Sequence, residues 1–113
     1  MTLLTEELRE QLLANGRASA RKENDHFPVA KLFTPDAQAT WLLSELSPNE
    51  PDIAFGLCDL GLGFPELGYV RLSEIEALRG PLGLPVERDL YFTATKTLTA
   101  YAEDARSHGR IVT

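Results

Sequence analysis

The strongest constraint on this chain is a turn. Ser47-Pro48-Asn49-Glu50-Pro51-Asp52 concentrates proline and small polar residues, each of which favours a chain reversal for its own physical reason. Two largely apolar stretches flank it, Thr40-Trp41-Leu42-Leu43-Ser44-Glu45-Leu46 and Ile53-Ala54-Phe55-Gly56-Leu57-Cys58-Asp59. The second alternates large and small residues at period two, the pattern of a strand. The first is ambiguous. Thr34-Pro35-Asp36 offers a capping threonine and a proline suited to a first helical position, so a helix from Pro35 to Leu46 competes. The turn at 47–52 favours one helical turn followed by a strand. Two strands around that turn form an antiparallel hairpin.

The remaining segments supply what packs on the hairpin. Thr5 is an N-cap for a first helix, followed by Glu6 and Glu7 where the helix dipole favours negative charge. Leu4, Leu8 and Leu12 mark its apolar face, and Asn15-Gly16 reads as its stop. Residues 17–27 then read as a polar surface connection. Val29-Ala30-Lys31-Leu32-Phe33 is a strand after Pro28, and Tyr69-Val70-Arg71-Leu72 is another. Between Asp59 and Gly68 the glycines and Pro65 read as a loop. Ser73-Glu74-Ile75-Glu76 matches a capping box, with Gly80-Pro81 ending that helix. A last strand is expected around Leu90-Tyr91-Phe92. Thr97 caps a final helix whose Leu98, Tyr101, Ala102 and Ala105 share one face, and Gly109 ends it.

These elements predict an α+β fold over residues 1–113 as one domain. It has a small antiparallel sheet of about four strands, the hairpin central, and three helices packed mainly on one face. At 113 residues the chain has enough bulk for a core without disulfides or metals. Cys58 is the single cysteine, so no intrachain disulfide can form. The acidic start at Glu6-Glu7 does not resemble a signal peptide, and no apolar run reaches membrane-spanning length. A cytoplasmic location is expected.

Charge is unevenly placed. The net charge is −6, and no Lys or Arg lies between Lys31 and Arg71. That interval holds Asp36, Glu45, Glu50, Asp52, Asp59 and Glu66, and the other eleven acids balance the eleven basic residues. Such a centre disfavours direct binding of a phosphate backbone and suits a basic protein partner, or it is simply a solvated face. Arg17, Arg21 and Lys22 form one small basic cluster, expected to fold back onto the acidic centre.

Three constellations carry candidate chemistry. Period-two counting places Trp41, Leu43 and Glu45 on one face of a strand. It groups Ile53, Phe55, Leu57 and Asp59 on a second strand, and Val29, Lys31 and Phe33 on a third. If these faces coincide, Lys31, Glu45 and Asp59 meet as an ion pair at the sheet edge or as a catalytic group with a shifted pKa. In the glycine loop, Gly61, Gly63 and Gly68 do not fit a dinucleotide fingerprint, because Glu66 stands where the third glycine belongs. The loop is either a tight connection needing positive φ or a partner-binding loop that displays Leu62 and Phe64 between Asp59 and Glu66. His26 and His108 lack ligand-like spacing, so no metal or cofactor is expected. Cys58, on the strand face opposite Phe55 and Leu57, reads as a buried thiol.

Several stretches together resemble a known family. They are Leu3-Leu4-Thr5 with Leu12-Leu13-Ala14-Asn15-Gly16, the Pro28–Phe33 strand, Ala39–Leu46, Phe55–Val70 and Glu87-Arg88-Asp89. They are similar to a bacterial family of unknown function often carried on plasmids and integrative conjugative elements, near conjugation or anti-restriction genes. The resemblance spans nearly the whole chain and brings no catalytic residues. It implies the setting of a mobile-element accessory protein.

The sequence therefore favours a non-enzymatic accessory or regulatory protein that binds a protein partner, with Asp59, Phe64, Glu66, Glu45 and Lys31 as candidate binding residues. Alternatives are a hydrolase built on Glu45, Asp59, Glu66 and Lys31, which requires those groups to converge in a pocket, and a DNA-mimic or anti-defence inhibitor, which requires rows of carboxylates.

Overall fold

The computed structural model describes residues 3–113. In chain order the elements are α1 (Glu6–Arg21), β1 (Ala30–Phe33), β2 (Thr40–Leu46), β3 (Ile53–Asp59), β4 (Glu66–Arg71), α2 (Leu72–Ala77), β5 (Glu87–Arg88) and α3 (Leu98–His108). The strands form one sheet in the order β4-β3-β2-β1-β5, and every neighbouring pair is antiparallel. The hairpin of β2 and β3 forms as its sequence predicts. The fold is the expected α+β type, with β5 as a fifth, two-residue strand.

The pleat divides the core in two. On one face Leu32, Trp41, Leu43 and Ala54 pack with Leu12 of α1 and with Leu72 and Ile75 of α2. On the other, Leu42 and Leu57 pack with Leu98, Tyr101, Ala102 and Ala105 of α3. Two of the three helices thus share a face, and the α3 stripe read from the sequence is buried as a unit. Thr5 and Thr97 cap their helices as expected, and Gly109 closes α3 in the left-handed region at φ 72°.

Five local readings are corrected by the structure. Asn15-Gly16 does not stop α1, which continues to Arg21. Gly16 is there because a Cβ would stand 1.8 Å from the Leu46 carbonyl oxygen, and Asn15 Nδ2 donates to the Ser44 carbonyl at 2.9 Å. The stretch that looked like a stop is where the helix presses on β2. Thr34-Pro35-Asp36 makes a turn instead of a helical turn: the Thr34 hydroxyl accepts from the Ala39 N–H at 2.9 Å, closing the loop early. Ser73 is not the N-cap of α2, which begins at Leu72. Instead Asp52 accepts from both the Ser73 N–H (3.0 Å) and hydroxyl (2.6 Å). The last strand is Glu87–Arg88, while Leu90 and Tyr91 stay exposed in a turn. Finally, β4 starts at Glu66, so part of the presumed glycine loop is strand.

A register shift matters for the site. Leu43 lies opposite Gly56 and Glu45 opposite Phe55, so Ser44 is an extra residue on β2. Such a bulge breaks period-two counting. Glu45 therefore leaves the Trp41–Leu43 face, to which simple alternation assigns it.

Candidate functional site

The candidate binding residues do not converge. Lys31 lies 3.7 Å from Asp89 and donates to Thr113 Oγ1 at 2.7 Å. Glu45 accepts from the Ser19 hydroxyl at 2.7 Å and lies 4.0 Å from His26 Nε2. Asp59 accepts from the Gly61 N–H at 2.8 Å and the Ile111 N–H at 2.9 Å. Glu66 is exposed at the start of β4. Each has its own surroundings, and among the described residues no group of three His, Cys, Asp or Glu side chains could hold a metal ion.

The acidic centre is likewise dispersed. Asp36 accepts from the Leu82 N–H at 2.7 Å, Asp52 holds the start of α2, and Glu50 lies 3.4 Å from Arg71. These carboxylates fix separate turns and helix ends, and five of the six central acids have an intramolecular partner. Ser73 holds the Asp52 carboxyl below its ordinary range, chiefly through its hydroxyl, with its N–H and Arg71 adding to the effect. The basic cluster does not fold back: Arg17, Arg21 and Lys22 are exposed, and no ion pair among the described residues joins them to the central acids.

The fold does assemble one constellation that the sequence hides. Ser19 of α1, His26 of the following segment and Glu45 of β2 meet through the Ser19 hydroxyl, whose oxygen is 3.2 Å from His26 Nε2. A hydroxyl has one proton to give. At 2.7 Å it goes to the Glu45 carboxylate, so the His26 contact is a hydrogen bond only with the ring proton on Nε2, which Ser19 then accepts. A serine nucleophile needs the opposite, with its proton directed to the histidine and the carboxylate on the far ring nitrogen. The geometry is that of a clasp fixing the end of α1 to β2. The bulge at Ser44 and the unexpected length of α1 kept it out of sight in the sequence.

The glycine loop has the properties of a display. Gly61 and Gly63 adopt φ of 82° and 87°, which explains two of its glycines. Asp59, only 3% exposed, ties the loop base to the segment after α3, and Gly61 stands close against Gln38. From this anchored base Leu62 and Phe64 project at 74% and 79% exposure. Asp59 is thus a support for the loop, and the outward apolar groups are Leu62 and Phe64.

The loop leads directly into β4, the outermost strand on its side of the sheet. Tyr69 is 72% exposed there and packs against Phe55 in a tilted arrangement, with ring centroids 5.0 Å apart and planes at 56°. Between β4 and α2 runs an open groove of about 430 Å³, lined by Trp41, Ile53, Tyr69, Val70, Ile75 and Leu78, with Arg71 and Glu74 at its rim. The sequence reading of a strand at Tyr69–Leu72 caught the second half of β4, and its first half was read as loop because of Gly68. The alternation from Glu66 to Arg71 was the signal available.

Cys58 lies across from Trp41, packed against the α1/α2 core, and burial pushes its thiol up to about 11. No helix among the described residues is long and apolar enough to cross a membrane.

Fold and surface define a small α+β domain with one anchored apolar loop continuing into an exposed sheet edge. The chain belongs to the family described as protein of unknown function DUF2958, which matches residues 3–112. The expected membership of a family of unknown function spanning nearly the whole chain is met. No curated protein and no solved structure matches the chain.

Proposed function

We propose that this domain is a non-enzymatic accessory or regulatory protein that binds another protein through the Leu60–Phe64 loop and the adjoining β4 edge. The observation that carries this reading is the display of Leu62 and Phe64 on a loop whose base is fixed by Asp59. An exposed aromatic on a rigid support suits an interface anchor, because little conformational freedom is lost on binding. Glu66 adds a charge beside it. Lys31 and Glu45 are engaged elsewhere and have no part in this surface. The setting implied by the family resemblance is a mobile genetic element, where a host defence or DNA-processing protein is a fitting target.

A hydrolase built on Lys31, Glu45, Asp59 and Glu66 draws no support from their separated partners. A DNA mimic is equally poorly served by carboxylates spent on turns and helix ends.

Affinity capture from cells that carry the protein, comparing wild type with Leu62→Ser and Phe64→Ser, tests the proposal. The expected result is a defined partner retained by wild type and lost by both variants. A partner captured equally by all three overturns it.

A further inference from the structure

Resting on this reading, we infer that β4 receives an extended, basic segment of the partner as a sixth strand, with one apolar side chain seated in the groove beside α2. The backbone phase of β4 comes first. The Leu72 N–H donates to the Asp52 carbonyl at 2.8 Å, and residues 72 and 52 are opposite in the register that pairs Arg71 with Ile53. From the other side, the Ser47 N–H donates to the Ile53 carbonyl at 2.9 Å, so odd residues of β3 serve β2 and even residues serve β4. Alternate residues of an antiparallel strand bond the same neighbour. Gly68 and Val70 therefore turn their N–H and C=O toward β3, while Leu67, Tyr69 and Arg71 turn theirs outward. A row of outward backbone groups is a template for another strand.

Gly68 is the second observation. It has no positive φ, and a Cβ built on it meets nothing within 4 Å. Neither the turn geometry nor the packing within this chain requires glycine there. Gly68 shares the α2-side face of β4 with Val70, so the glycine leaves open space on that face for a side chain of an added strand.

The groove and the charges choose the occupant. A strand on β4 points alternate side chains toward Val70, Ile75 and Leu78, so an apolar residue enters the groove. Glu74 lines it beside Arg71, which lies 3.4 Å from Glu50 and 3.8 Å from Asp52, and Arg9 also acts on Asp52, so three carboxylates stand against two guanidinium groups at this end of β4. With a net charge of −6, a second copy of this chain is repelled from the same edge, whereas a segment carrying Lys or Arg is attracted.

The test uses the peptide acetyl-Lys-Val-Thr-Val-Lys-Val-Lys-amide, titrated into the full chain and followed by amide NMR. Saturable shifts are expected at Leu67, Tyr69 and Arg71 and along α2. Tyr69→Pro removes an outward N–H that β3 does not use, and it should weaken binding about tenfold or more. Because a proline variant could misfold, the same peptide N-methylated at alternate residues is tested against wild type and should not bind. The all-Glu counterpart should bind more weakly at low salt. Absence of shifts at the edge amides, equal binding of the N-methylated peptide, or a dimer that Tyr69→Pro dissolves would each overturn the inference. If Phe64→Ser abolishes capture of the cellular partner while Tyr69→Pro does not, strand addition fails and the loop-mediated function stands. If the peptide binds as expected but neither variant affects capture, the proposed function fails instead.

Discussion

Replacing Asp59 by Ala should loosen the glycine loop and destabilise the whole domain. The carboxylate accepts from Gly61 and Ile111 at 2.8 and 2.9 Å while itself only 3% exposed. Hydrogen bonds to a charged acceptor are worth roughly 1.5–3 kcal/mol each when buried. Gly61 is exposed, so its N–H finds water after the substitution and its loss counts for about 1 kcal/mol. Ile111 is half-buried, and its orphaned N–H costs about 1–3 kcal/mol. Together the loss is about 2–4 kcal/mol, or roughly 8–17 °C in Tm for a domain of this size. Asp59→Asn keeps one acceptor oxygen and should fall between the two. Thermal denaturation followed by circular dichroism gives the global effect, and amide exchange at Gly61 and Ile111 gives the local one. A Tm lowered by less than about 2 °C, or unchanged exchange at both amides, would refute the anchoring role.

Two glycines should respond in opposite ways to the same change. Gly16→Ala gains about 1 kcal/mol of helix propensity but drives a Cβ into the Leu46 carbonyl, so urea denaturation should show a net loss of about 1–3 kcal/mol. Gly68→Ala meets open space at ordinary φ and should gain about 0.5–1 kcal/mol in the same assay. The Asp52 carboxyl is lowered in the fold from 3.8, so its stabilisation is present above that pH and is lost as pH falls through the folded value. Ser73→Ala should accordingly be less stable than wild type at neutral pH, with the gap closing in acid; urea midpoints across pH will show it. The Cys58 thiol, pushed up to about 11 by burial, should resist iodoacetamide at mildly alkaline pH in the folded protein and react once urea is added.

The parts of the fold legible in the sequence are those governed by local chemistry. Pro48 and Pro51 within a polar cluster dictate the hairpin, and Thr97 with the Leu98–Ala105 stripe dictates α3. Several of the readings that changed share one cause, a residue whose local preference yields to its structural surroundings. Gly16 looks like a helix stop until the Leu46 carbonyl is seen against it. Ser73 looks like a cap until Asp52 takes its hydroxyl. Glu45 looks like a neighbour of Trp41 until the extra residue Ser44 turns it toward Ser19 and His26.

The site was legible to the same extent. Phe64 and Leu62 stood out because apolar residues among glycines have no obvious core to join. Asp59 was singled out for its charge, and the structure gives it the task of holding that loop in place. The strand of β4 was legible from Tyr69 onward, but its start and its place at the edge of the sheet were not, since Gly68 read as loop and strand order is not written in the local pattern. Which backbone groups face outward depends on register, and register is fixed only when β3 and β4 pair.

Photo-crosslinking in living cells, with benzoylphenylalanine placed at residue 64, probes the binding face itself. The comparison is the same group at residue 91, where Tyr91 is 93% exposed but lies in the turn after β5, on the opposite edge strand from β4. A discrete crosslinked protein from position 64 and none from position 91 is the predicted result. A discrete product from position 91 alone, or from neither position, would contradict it.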